Sequence, residues 1–228
     1  MNRTLATLVI TTVFVLTVPA TAGTIIKLGF STDSLPDINL VDAVLSTADD
    51  GIGATSGDQN TEVTFLGALS GESTIESDNA SFTLSSIDLV DNPTIFGTTI
   101  LQATEGGSFD LYDQNNDLLL SGTLGKGTLS GPVAGTATGG FLTTEFGMFT
   151  DGSLLNILNP ENLLQSSFSI SLTDVNGGLG LGTSAEGKLE DFSADATANI
   201  GARAVPEPAA ILTVIMGLMS LFGLTRLL

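Results

Sequence analysis

Short runs in which every second residue is apolar constrain this chain more than any other feature. Phe168, Ile170 and Leu172 alternate with Ser167, Ser169, Ser171 and Thr173. Phe192, Ala194, Ala196, Ala198 and Ile200 alternate with Ser193, Asp195, Thr197 and Asn199. Val63, Phe65 and Leu69 share a parity, with Gly67 in the remaining place, and Leu142, Phe146 and Met148 do the same with Thr144 among them. Successive side chains of a strand point to opposite faces, so each run predicts a strand with one apolar and one small polar face. That is the pattern of an antiparallel sheet with one wet side. Phe82 and Leu84 are followed out of phase by Ile87 and Leu89, which predicts a bulge at Ser85-Ser86.

The fold class that follows is all-β: an antiparallel β-sandwich or partly closed barrel with one or two short helices. Glycine occurs 27 times in 228 residues, well above the ordinary usage of about 7%, as many turns between short strands require. The best helical stretch is Asp151 to Pro160, where Ser153 caps a turn carrying Leu154, Leu155, Ile157 and Leu158. The stretch from Asp33 to Asn60 is weakly patterned and reads as a long loop.

The two ends have a different composition. Residues 1–22 start with Arg3, continue with the uncharged apolar run Leu5 to Val18, and close on Pro19 and Ala20-Thr21-Ala22. A basic start, a short apolar run and a small-x-small site make a secretory signal peptide, with signal peptidase cutting after Ala22. Residues 205–228 contain a charge-free apolar run over about 209–225, near the lower limit for a transmembrane helix, with Arg226 after it on the cytoplasmic side. Pro206 and Pro208 flank Glu207 just before that run. Proline disfavours helix at the residue before it, so the acidic tripeptide is extended and accessible. The chain therefore divides into 1–22, an extracellular β domain over 23–204, and 205–228.

Val205, Pro206, Glu207 and Pro208, then a hydrophobic helix, then Arg226, resemble the PEP-CTERM sorting signal, a segment also labelled the ice-binding protein C-terminal domain. The likeness covers about the last 24 residues. It departs from the family in having one basic residue where several are common. The resemblance implies a Gram-negative bacterium with an exosortase, export across the inner membrane, and a transient membrane anchor processed near the motif. It also implies a link to exopolysaccharide or biofilm matrix.

Charge narrows the functions open to residues 23–204. The chain has 6 basic and 25 acidic residues; without Arg3, Arg226 and Glu207 the remainder carries 4 and 24, a net of −20. Such a surface repels phosphate backbones, so nucleic acid is not an expected partner. There is no cysteine to form a disulfide and no histidine to serve as base or metal ligand.

Asp113, Asn115 and Asp117 have the alternate-oxygen spacing of a calcium loop. The pattern then fails, because Leu118 stands where glycine is needed and Leu124 where a bidentate glutamate is needed. The segment reads first as a hairpin turn between Phe109–Tyr112 and Leu118–Leu120, with calcium as the alternative and no other cofactor expected. Asp174-Val175-Asn176-Gly177 is a similar turn signal, and Gly178-Leu-Gly-Leu-Gly182 lacks the spacing of a nucleotide loop. A Ser–Lys nucleophile would draw on Lys27, Lys126 or Lys188, and Ser121 with Lys126 is the nearest such pair in sequence. Carboxylate pairs for sugar hydrolysis are always available among so many acids, yet aromatic subsites are scarce, with one tyrosine and no tryptophan. Two function classes result. One is a non-catalytic structural or adhesive surface domain. The other is a secreted hydrolase using a carboxylate pair on a β scaffold.

Overall fold

The computed structural model describes residues 23–30, 35–49, 51, 57–66, 69, 80–135, 138–158 and 163–204. Within them lie β1 (Gly23–Gly29), β2 (Ile38–Val41), β3 (Val44–Thr47), β4 (Asp58–Phe65), β5 (Ala80–Ser85) and β6 (Ile87–Phe96). There follow β7 (Thr99–Glu105), β8 (Ser108–Tyr112), β9 (Leu118–Pro132), β10 (Gly140–Asp151), α1 (Leu155–Leu158), β11 (Leu163–Thr173) and β12 (Phe192–Ala204). Residues 1–22 and 205–228, with the signal-peptide and sorting-signal readings that fall on them, lie outside the described residues.

All twelve strands belong to one sheet, in the order β1-β4-β5-β8-β9-β10-β11-β12-β2-β3-β6-β7, with further pairings β1–β12 and β9–β7. Every strand pairing is antiparallel. The registers show that several strands run end to end as one bent strand. Along β12, Thr197 to Ala202 face β1 and Phe192 to Ala194 face β2. Only Ser86 separates β5 from β6, and only Gly106 and Gly107 separate β7 from β8. In the same way β3 and β4 both lie between the β1/β2 and β5/β6 courses. The twelve strands thus make eight courses in chain order, and the last returns to the first. This is an up-and-down barrel, and its closure removes the edges on which sheets otherwise aggregate. The expectation of an all-β antiparallel fold with a short helix is met, and the barrel closes fully.

The kinks have local causes. Ser86 has φ 57°, and beside it Gly106 and Gly107 have φ 74° and 103°. A Cβ on Gly107 would stand 2.6 Å from Ile87 Cγ1, so only glycine fits where the hairpin bends. The phase shift read at Ser85-Ser86 is this corner.

Where β1 passes to β2, the buried Asp37 carboxylate replaces a missing strand partner. Its Oδ2 accepts from Ala196 N at 2.6 Å, and Asp37 N donates to Ala194 O at 3.0 Å. Where β3 passes toward β4, Leu84 N donates to Thr47 Oγ1 at 3.0 Å, bridging to the neighbouring course.

The barrel interior is filled. Phe168, Ile170, Leu172, Phe192, Ala194, Ala196, Ala198 and Ile200 are all buried, as the alternation requires. Phe82, Phe109 and Phe168 stack with centroids 5.8 to 6.2 Å apart, and Phe30 adds a contact to Phe82 at 5.5 Å. Such pairs add roughly 0.5–1.5 kcal/mol each beyond the area they bury. Leu154 and Leu158, at α1, close one pole, and Val175, Leu181 and Leu189 close the other. A Cβ on Gly131 would stand 2.7 Å from Leu181 Cδ1 and 3.0 Å from Gly139 O, so the plug packs closely over this glycine.

Two sequence expectations are corrected. The stretch from Asp33 to Asn60 is not a long loop, because it holds the β2–β3 hairpin and the start of β4, with Ile38, Leu40 and Leu45 fully buried. Its turn, Asp42-Ala43, has positive φ at both residues, as tight hairpins demand. Met148 does not share the inner face of Leu142 and Thr144. It is 63% exposed, because register shifts between Thr144 and Phe146 and between Phe146 and Met148 turn the strand over, and Phe149 is buried instead.

Candidate functional site

Gly23, the first described residue, pairs with Ala202, two residues before the end of β12, so the two ends of the barrel chain share one pole. The opposite end carries a cleft of about 520 Å³. The Asp42-Ala43 turn, a bulge in β6 with Gln102 of β7 opposite it, and the segment leading into β12 build it. Leu89 N donates to Ala43 O at 2.9 Å, and Asp42 N donates to Asp191 Oδ1 at 3.1 Å, tying the three together.

The bulge follows from the ladder between β6 and β7. Val90 faces Ala103 and Thr94 faces Leu101, so Asp91, Asn92 and Pro93 stand opposite the single residue Gln102. Pro93 has no N–H to lose from the ladder, and Asp91 adopts φ 60°, which short polar residues tolerate best. Gln102 fills the gap from the inside. Its Nε2 donates to Val90 O at 2.9 Å, Asp91 O at 3.3 Å and Ala103 O at 2.8 Å. The residue is fully buried, lines the cleft, and its Oε1 has no hydrogen-bond partner.

The rest of the lining is rich in acceptors. Asp42, Asp91 and Asp191 bring carboxylates, Asn92 an amide, and Leu89 and Leu189 a short apolar patch. Lys188 is the one basic residue of the lining, and its Nζ lies 3.9 Å from Glu186 Oε2, both side chains highly exposed. Among the described residues, two further buried side-chain atoms lack a hydrogen-bond partner, Thr104 Oγ1 and Thr144 Oγ1. Both threonines pair with Gly127, one from either side.

The candidates read from the sequence are placed elsewhere. Asp113, Asn115 and Asp117 lie in the β8–β9 turn, at the pole of the chain ends. Asp113 Oδ1 accepts from Asn115 N and Asp117 N, both at 2.8 Å, and its Oδ2 accepts from Asn115 Nδ2 at 3.3 Å. The carboxylate is engaged in holding the turn. Among the described residues, no group of three or more acidic side chains is arranged to hold a metal ion.

Ser121 and Lys126 are not brought together. They sit on one strand about 16 Å apart at ~3.3 Å per residue. Ser121 Oγ instead donates to Asp110 Oδ1 at 2.5 Å across the β8–β9 ladder. Tyr112, two residues from Asp110, has its hydroxyl pKa raised above 10.0, first by burial and then by the Asp110 charge. Gly178, Gly180 and Gly182 lie in the segment between β11 and β12, where Leu181 between them is the buried plug.

The cleft was not legible in the sequence, since its carboxylates come from positions 42, 91 and 191. Asp37 was missed for a related reason: nothing local marks it among 25 acidic residues. Among the described residues no helix is long and apolar enough to cross a membrane. Comparison with protein-family models, with curated proteins and with solved structures yields no match.

Proposed function

We propose that this barrel is the displayed, non-catalytic domain of an exported surface or extracellular-matrix protein that exosortase sorts through residues 205–228. The observation that carries this reading is the polarity of the barrel. The strand ends that lead to residues 1–22 and 205–228 lie side by side, at Gly23 and Ala202, and the cleft opens at the other end. A domain tethered through its C-terminal segment then presents the cleft pole away from the membrane.

The chemistry of the β11 and β12 walls agrees with a wet location. Outward residues of β11 and β12 are Ser167, Ser169, Ser171, Thr173, Thr197 and Asn199, while the inward ones are apolar. A barrel that spans an outer membrane has the reverse arrangement, with an apolar band outside. The role is structural or adhesive, with extracellular polysaccharide as the partner implied by the sorting signal. Signal peptidase and exosortase are the processing partners, nucleic acid is not a partner, and the reading requires no cofactor.

Mass spectrometry of the surface-released protein tests this reading. The expected species starts at Gly23 and lacks Ile211 to Leu228. Released protein that still carries the C-terminal run would overturn it. The second reading, a hydrolase with a carboxylate pair, is favoured by one observation: the cleft gathers Asp42, Asp91 and Asp191. Hydrolysis of a glycan that stops on substitution of both Asp91 and Asp191 by asparagine would establish it instead.

A further inference from the structure

We propose that the cleft binds a primary or secondary ammonium group carried on an aliphatic chain. The inference goes beyond the display reading and does not rest on it.

The argument is an inventory of donors and acceptors. Ionised carboxylates only accept hydrogen bonds, and the cleft has three of them in Asp42, Asp91 and Asp191. Gln102 adds the decisive atom. Its nitrogen is committed to the carbonyls of Val90, Asp91 and Ala103, while its oxygen, on a fully buried residue of the lining, has no partner. A buried acceptor without a donor is unfavourable, and a ligand N–H that reached it would offset that penalty. The cleft is therefore short of donors and of positive charge. Lys188 is the single cation of the lining against three carboxylates, and its exposed ammonium also lies 3.9 Å from Glu186.

A bare divalent cation fits less well than an amine. It needs several oxygens at about 2.3–2.6 Å around one point, and no three acidic side chains among the described residues are so grouped. An ammonium group needs only two or three acceptors at about 2.7–2.9 Å. Several such groups on one chain reach carboxylates that do not converge. Leu89 and Leu189 offer the surface on which the methylenes between them would lie.

Calorimetric titration of the purified full-length chain at a constant ionic strength of about 0.15 M tests the proposal, surface charges further apart than about 8 Å being screened there. Spermidine represents a free polyamine and Nα-acetyl-lysine amide a lysine side chain. Tetramethylammonium carries the same charge without an N–H donor. The expected result is saturable binding of spermidine or the lysine amide at one site, the tighter of the two identifying the source, and none of tetramethylammonium. Asp91→Asn with Asp191→Asn should weaken binding at least tenfold. Asparagine tolerates the positive φ of residue 91 and keeps an acceptor for Asp42 N, so this variant should fold. Asp113→Asn with Asp117→Asn, which removes the same charge at the other pole, should leave binding unchanged. A shift of the Gln102 side-chain amide resonance on saturation reads the same site without any substitution. Equal binding of tetramethylammonium, equal loss in the two double variants, an unmoved Gln102 resonance, or no saturable binding would each overturn the proposal.

Discussion

Next to the chain ends the barrel packs ring against ring, whereas beneath the cleft aliphatic side chains share the interior with alanine, glycine and orphaned polar atoms. Around β5 and β8, Phe82 and Phe109 stack on each other and on Phe168. Around β7, the inward positions are Ile100, Gln102 and Thr104, facing Gly131, Leu129 and Gly127 of β9. The inward Ala194 and Ala196 of β12 complete that half. The difference teaches where stability and recognition are placed. Stacked rings stabilise the first half, and the second, where Ile38, Leu40, Leu45, Ile87 and Phe192 are buried, also admits a bulge, a cleft and unmatched polar groups. Departures from core rules tend to concentrate at functional sites.

The largest effect that could break this comparison is Phe109→Ala. The ring is fully buried between two others, so its loss should cost about 3–5 kcal/mol in urea unfolding. A cost below 1 kcal/mol would mean the aromatic half is not the anchor. Next is Asp37→Ala, which leaves the Ala196 N–H buried without the carboxylate that now accepts from it. We expect a loss of roughly 1–3 kcal/mol from that unmatched donor, again by urea unfolding, and no measurable loss would contradict the assigned role.

The third prediction has the opposite sign. Thr104→Val or Thr144→Val removes a buried hydroxyl that has no hydrogen-bond partner, at nearly constant shape. Each should raise stability by about 1 kcal/mol, and destabilisation by either would show that the hydroxyl is matched after all.

The smallest effect sharpens the surface of the first half. Tyr112 is the chain's one tyrosine, so its ionisation can be followed alone by absorbance. Its pKa is raised by burial and by Asp110, so the folded chain holds this proton longer than the unfolded one. The resulting stabilisation is fully present below pH 10 and is lost as pH rises through the folded value. Asp110→Asn should move the titration back toward 10, leaving the part due to burial. An unchanged titration would remove Asp110 as a cause.

How much of this was legible in sequence depended on strand length and regularity. In β11 and β12 the alternation runs over enough residues to name the inner face, and Phe168 to Leu172 and Phe192 to Ile200 are buried as read. In β2 and β3 each strand has four residues and the turn is Asp42-Ala43, without the glycine that usually announces a hairpin. Met148 was misplaced because β10 changes phase along its length. Barrel closure joins Gly23–Gly29 to Thr197–Ala202, and no local pattern encodes a pairing so distant. The turn at Asp113 to Asp117 was readable because its chemistry is local, and the cleft was not because its chemistry is assembled by closure.

Native-state hydrogen exchange measures the contrast between the two halves most directly, because it assigns an opening free energy to each strand. The account predicts that amides of β5 and β8 exchange only through global unfolding. Amides of β2, β3 and β6 should exchange through smaller openings, at least 2 kcal/mol or so below the global value. Uniform protection across both halves, or stronger protection beneath the cleft, would contradict the account.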